Sequence, residues 1–328
     1  MDDKWVDFLR YLALIGVYVF GATILANLVL RIRRFAPTRR TLAKIPEYAL
    51  AWRALSRGEY AEGLDLAWRA YEECRDLTAG RRRNALACCE VLLGTALQEA
   101  GRHEEALVYL RPAEATLAKA REYDGGIVRG AYGAGVLALA ESLSELDDRS
   151  EALAATERAL HWHVRHGRRR HSMPSYHAAL YLHGRELLRS AQVTEAARAA
   201  RTALEARRAT TSDPDVIVAS CLALTAEIAV ANDRPELALP VAEEAVAHSR
   251  MLSAAPAAHR AALAEALTIH ARVLGALDRP ADGLAAITES VELTRKLAEE
   301  LPDRYRSALA DREATMADLA TSDNERAR

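Results

Sequence analysis

The amino-acid sequence predicts an all-α protein. It reads as an α-solenoid of about six helix pairs, closed by a C-terminal capping helix and preceded by one transmembrane helix. Three observations carry this. Half of the 328 residues are apolar but only 5% are aromatic, and alanine and leucine dominate the apolar half, as in closely packed helices. Valine and isoleucine are sparse beyond residue 35, which argues against an extensive sheet. A pattern of small residues recurs six times along the chain.

The N-terminal element comes first. Residues 1–10 form a short leader, and residues 11–30 carry no charged side chain, with Asn27 their only strongly polar member. Twenty helical residues span about 30 Å, the depth of a bilayer hydrocarbon core. Trp5 stands at one end, where interfacial aromatics sit, and Arg31, Arg33 and Arg34 follow the other end. The leader begins Met1-Asp2-Asp3, unlike the basic leader of a signal peptide, so an uncleaved anchor is the reading adopted. The positive-inside rule then places the N-terminus outside a single-pass plasma-membrane protein and the repeat domain on the cytoplasmic face. Residues 31–43 read as a basic juxtamembrane linker.

The solenoid is assigned to residues 44–302. In its second unit Gly94 and Leu97 lie on a first helix, Gly101 makes a turn, and Ala106, Leu110 and Ala113 lie on a second helix. Sliding this frame along the chain puts the small residue that opens each second helix at Gly63, Ala106, Ala152, Ala196, Ala238 and Gly283, at intervals of 43, 46, 44, 42 and 45 residues. The turn position five residues earlier is Gly58, Gly101, Asp147, Ala191, Asp233 and Asp278, and a later small position is Ala70, Ala113, Ala159, Ala203, Ala245 and Ser290. Connectors with Gly, Pro or capping residues separate the units. A charged helix at 303–320 caps the array, and residues 321–328 read as a disordered tail.

This frame resembles the tetratricopeptide repeat family, in which small and large residues alternate at these offsets. The resemblance implies a right-handed α-solenoid. The units exceed the family's usual length of about 34 residues. The first-helix Trp position is Glu47, Glu90, Val136, Leu180, Leu222 and Leu267, never Trp. The longer, Ala- and Arg-rich character is similar to repeats common in actinobacterial proteins.

No catalytic constellation stands out. The chain has no glycine-rich phosphate loop and no nucleophile elbow, so neither an enzyme nor a cofactor is expected. The net charge of −2 gives no electrostatic footprint for nucleic acid. Cys74, Cys88, Cys89 and Cys221 fit neither a zinc ribbon nor a disulfide framework. His161, His163, His166, His171, His177 and His183 form a cluster interleaved with arginines and lacking nearby acids, so a solvated helix end and connector is preferred to a metal site.

In the resemblance, first helices line a concave surface that takes a partner. The frame then makes Tyr48, Trp52, Thr95, Gln98, Glu141, Tyr181, Arg185, Glu227 and Arg272 groove-facing candidates. Tyr48, Trp52 and Leu92 stand where the family's chaperone-tail binders carry a Lys/Asn clamp, which disfavours that ligand class. The expected function is a membrane-anchored scaffold for protein or peptide partners, held to the bilayer through residues 11–30. The alternatives are a peptide- or signal-sensing regulator acting through a partner and, less favoured, a His-cluster metal binder.

Overall fold

The computed structural model describes residues 38–77, 83–120, 126–166, 174–211, 213–252 and 256–326. After a helical turn at 38–42, thirteen helices follow: α1 (Pro46–Arg57), α2 (Tyr60–Leu77), α3 (Arg83–Glu99), α4 (His103–Ala120), α5 (Gly126–Glu145), α6 (Arg149–His166), α7 (Pro174–Arg189), α8 (Val193–Arg208), α9 (Val216–Ala231), α10 (Pro235–Arg250), α11 (Ala257–Ala276), α12 (Pro280–Glu300) and α13 (Pro302–Arg326). There is no strand among the described residues. Each odd-numbered helix from α1 to α11 pairs with the next, and each first helix also packs on the first helix of the following pair. That is an α-solenoid of six pairs with α13 laid over α12.

The turn inside each pair explains the frame. Gly58, Gly101, Asp147, Ala191, Asp233 and Asp278 all have positive φ, between 53° and 82°. The residue after each donates its backbone N–H to the carbonyl five positions back, as Arg102 does to Leu97 at 2.9 Å and Gln192 to Leu187 at 2.8 Å. This is a Schellman closure, which satisfies orphan carbonyls at the helix end and needs a left-handed residue. Glycine adopts that conformation freely, aspartate tolerates it, and alanine at 191 is strained.

The small positions are equally physical. Ala70, Ala113, Ala159, Ala203, Ala245 and Ser290 are fully buried where the helices of a pair touch. A Cβ on Gly94 would lie 2.5 Å from Leu110, and one on Gly63 would lie 2.6 Å from Leu55. The structure adds a fourth small position, seven residues before each turn: Ala51, Gly94, Ala140, Gly184, Ala226 and Ala271, all buried. Alanine and glycine there bring helix axes close, and leucines fill the flanks. Outside, arginines bridge consecutive second helices, as in Arg111–Glu151 at 2.6 Å and Arg250–Glu289 at 2.7 Å. Exposed pairs of this kind add little stability each.

The array curves until its end meets its beginning. Tyr60, Ala257, Leu297 and Tyr305 form a buried cluster with Leu55, Ala261, Ala298 and Leu301 around it. Arg304 at the start of α13 bonds the carboxylate and the backbone carbonyl of Glu99 at the end of α3. Its guanidinium lies 5.1 Å from the Tyr60 ring centroid and 5.6 Å from that of Tyr305.

Two expectations are corrected. Among the described residues no helix is long and apolar enough to cross a membrane, which overturns the single-pass membrane localisation. The physical reason is length: α9, the most apolar of the described helices, has only 16 residues, about 24 Å against the ~30 Å of a hydrocarbon core. It is apolar because neighbouring helices cover it on several sides. The segment 11–30, its linker, Trp5, Arg31, Arg33 and Arg34 lie outside the described residues. At the other end, residues 321–326 are helical instead of a tail. Arg326 holds the last turn by bonding the carbonyl and carboxylate of Asp278 in the α11–α12 turn.

Candidate partner-binding site

Helix α5 carries four glycines, at positions 126, 130, 133 and 135. Each costs a helix about 1 kcal/mol relative to alanine, so each needs a reason. Gly135 has one in packing, since a Cβ there would lie 2.9 Å from Val91 of α3. Gly133 has another, with its virtual Cβ 3.2 Å from the Trp162 indole nitrogen. At Gly126 and Gly130 a side chain would meet nothing within 4 Å. These two glycines border open space.

That space is a slot of about 490 Å³ on the concave side. Its floor is the α5 stripe of Gly126, Arg129, Gly130, Gly133, Ala134, Leu137, Ala138 and Glu141, the i, i+3, i+4 spacing of a single helix face. Helix α3 adds Thr95, Gln98 and Glu99, α7 adds Ser175, Ala178 and Leu182, and α6 adds Trp162 and His163.

Much of the polar chemistry along this slot is unspent. Thr95 Oγ1 and His163 Nε2 are buried without a hydrogen-bond partner among the described residues. The whole His163 side chain is nearly buried, at 5% exposure, and Gln98 stands at 3%. Burial holds the His163 imidazole below its usual pKa and therefore neutral. Glu141 makes no direct ion pair or side-chain hydrogen bond among the described residues; burial and then the neighbouring Glu99 charge push its carboxyl up, against the opposing pull of the Arg304 and Arg185 guanidiniums nearby.

Thr95, Gln98 and Glu141 of the expected groove set therefore line one slot. The other members sit elsewhere. Tyr48 and Trp52 of α1 pack on the core beside α3. Burial pushes the Tyr181 phenol up to about 12. Arg185 is held inside the protein: it donates to Ser144 Oγ at 2.9 Å and lies 3.6 Å from Glu145 and 3.4 Å from Glu186. Ser144 in turn donates to Glu186 at 2.6 Å. Glu227 and Arg272 face each other at 4.0 Å on α9 and α11.

The histidines separate too. His163 and His177 are buried, which corrects their solvated reading, and His183 Nδ1 meets Thr156 Oγ1 at 3.0 Å. Among the described residues no group of three His, Cys, Asp or Glu is arranged to hold a metal. His171 and the side chain of His166 lie outside the described residues.

Sequence reasoning missed Trp162 and His163 because it placed the ligand surface on first helices alone. The signal was available in the glycines of α5, which clear the view down to the second helix below.

No protein-family model matches the chain, and no curated protein matches it in sequence. In structure it is similar to BtubC (BKLC) from P. vanneervenii, at 17% identity and a TM-score of 0.55, covering 71% of this chain and 90% of that one. It is similar to the Rap conjugation gene regulator of the plasmid pLS20 in complex with the Phr* peptide, at 12% identity and a TM-score of 0.54, covering 85% and 73%. A third is a signal transduction ATPase with numerous domains and a tetratricopeptide repeat sensor from Pyrococcus horikoshii, at 14% identity and a TM-score of 0.54. That likeness covers 97% of this chain and 47% of the other. At these identities the likeness is one of architecture, and the chain has a tetratricopeptide-like helical-repeat fold.

Proposed function

We propose that this protein is an interaction scaffold whose concave face takes a peptide or a segment of a partner protein, and that it performs no chemistry of its own. The observation that carries the reading is the slot over α5. Its largely apolar floor, the orphaned Thr95 Oγ1 and His163 Nε2, and the Glu141 carboxyl offer an extended chain both a surface and hydrogen-bonding groups. The structural similarity to a repeat regulator solved with a peptide supports it.

The test is capture of partners by photo-crosslinkers placed at Thr95 and Leu137, compared with the same positions in a Gly130→Leu variant. Position 130 is exposed and open, so leucine enters the slot without disturbing the core. Capture that disappears with Gly130→Leu supports the reading. Capture that is indifferent to it, or that follows crosslinkers on the second helices instead, refutes the concave site.

A second reading, a sensor that passes ligand binding to a partner by changing shape, is favoured by one observation. Glu99 lines the slot and also holds Arg304 of the closing helix. Under this reading a saturating ligand changes the radius of gyration measured by small-angle scattering; an unchanged radius leaves the plain scaffold.

A further inference from the structure

The slot has two ends of opposite charge. Arg129 stands near the amino end of α5 and Glu141 near its carboxyl end, both on the lining face. Neither makes a direct ion pair with another described residue, although Arg304 and Arg185 lie within electrostatic reach of Glu141 while their hydrogen bonds go to Glu99 and Ser144. Twelve residue steps at 1.5 Å separate Arg129 from Glu141, about 18 Å, and fifteen separate Gly126 from Glu141, about 22 Å, so five or six residues of extended chain at roughly 3.3 Å each reach between the charges and six or seven fill the lined length. Between the ends the floor is Gly, Ala and Leu137, which admits a closely approaching backbone and small or aliphatic side chains. The unpartnered Thr95 Oγ1 and His163 Nε2 lie along the same slot. An extended peptide carries free N–H and C=O groups that need such partners, whereas a purely apolar ligand would leave these buried atoms unsatisfied.

We infer that the slot is an oriented peptide site. It takes an extended segment of six or seven residues with a cationic group, a lysine, an arginine or a free amino terminus, at Glu141, and a carboxylate at Arg129. This rests on the concave-face reading and sharpens it by naming the ligand's length, charge order and direction along α5. Glu99 does not compete for the cation, because Arg304 already occupies it. Glu141 feels Arg304 and Arg185 together with Glu99 and Glu145, and it is the slot carboxylate whose oxygens make no hydrogen bond to them. A cation placed against this half-buried carboxylate is partly withdrawn from water, so the pair is worth more than one on the open surface.

The experiment uses the full chain and three synthetic heptapeptide libraries, with retained peptides identified by mass spectrometry. One library carries Lys at the amino end and a free carboxylate at the other. A second has both ends neutral, and a third has both ends acidic. The first is expected to be retained about tenfold or more above the other two. Glu141→Gln removes the preference at the cationic end only, Arg129→Ala removes it at the carboxylate end only, and Gly130→Leu removes retention of all three. Gly130→Leu raises helix propensity at an open position, so unchanged circular dichroism and melting separate blockage from misfolding. Retention without any end-charge preference, or a preference untouched by Glu141→Gln, overturns the oriented site while leaving a concave peptide-binding scaffold standing. Failure of all three libraries to bind the wild-type chain overturns both.

Discussion

The closing seam and the slot meet at Glu99, and they have opposite character. At the seam the charged groups and the apolar surfaces have found partners, and the Tyr305 hydroxyl is a buried polar atom left over. Arg304 bonds Glu99 and lies over Tyr60 and Tyr305, and leucines and alanines from both ends of the chain fill the gaps. In the slot, α5 removes side chains where the seam supplies them, Thr95 Oγ1 and His163 Nε2 are left without hydrogen-bond partners, and Glu141 makes no direct ion pair. The seam is a stretch of surface with a segment of this chain seated on it. The slot is a stretch of surface on which none of the described segments is seated. Native proteins rarely leave buried polar groups unpaired, so the orphaned Thr95 and His163 atoms give the slot a hydrogen-bonding capacity that this packing does not use.

The strongest way to break this contrast is at Gly101. Its φ of 82° disfavours any side chain, and a Cβ there would lie 2.6 Å from the Asp303 carbonyl carbon, with the Arg304 backbone as close. Gly58 has nearly the same φ, 77°, but its Cβ would stand 3.8 Å from Pro256. Gly101→Ala therefore combines backbone strain with an opened seam and is expected to cost about 3 kcal/mol or more. Gly58→Ala meets the strain alone, about 1 kcal/mol. Denaturant unfolding of the two variants isolates the seam; equal losses would mean that the ring closure adds no stability.

Next in size is the seam ion pair. Arg304→Ala strips a partly buried carboxylate of its partner and should cost about 2 kcal/mol, more than Glu99→Gln, which leaves a hydrogen-bonding amide. If the two variants lose the same amount, the pair is not desolvated as the structure has it.

The turns offer a gain. Ala191 is the only residue other than Gly or Asp at a positive φ among the described residues. Ala191→Gly relieves about 1–2 kcal/mol of left-handed strain and gives back roughly half to the freer unfolded chain, for a net gain of about 0.5–1 kcal/mol. A melting point that falls instead would show that Ala191 is held by packing and not by the Schellman closure.

The same turns show what the sequence carries and what it does not. The six turn positions and the buried small residues were legible because each is dictated locally. A left-handed cap selects Gly or Asp, and a close helix pair rejects any side chain larger than Ser. The units kept their register because those demands recur at fixed offsets. The seam was not legible. Arg304 and Glu99 are 205 positions apart, and nothing near either residue announces the other. The slot was half legible. The frame identified Thr95, Gln98 and Glu141 as concave, but His163 comes from a second helix and looked like one more residue in a basic, histidine-rich connector. Arg185 looked like an anchor for a partner because its type suits one; its involvement with Ser144, Glu145 and Glu186 depends on how α5 and α7 cross. The residue pattern fixes which face a side chain is on, and only the packed helices decide whether it is already occupied.

Glu141→Gln is expected to have the smallest effect and separates slot from seam most directly. Burial raises the carboxyl's pKa in the folded protein above its ordinary value near 4.5. A folded-state pKa raised above the unfolded one gives stability that is whole below pH 4.5 and is lost as pH rises through the folded value. A glutamine at 141 does not ionise, so the variant should match the wild type at pH 4 and melt slightly higher at pH 7. Glu99→Gln should do the reverse at neutral pH, because Glu99 has Arg304 and loses an ion pair. A carboxylate whose removal stabilises the fold is being kept for something other than the fold. If Glu141→Gln destabilises at pH 7 as Glu99→Gln does, then Glu141 is part of the closure, and the slot is an extension of the seam instead of its opposite.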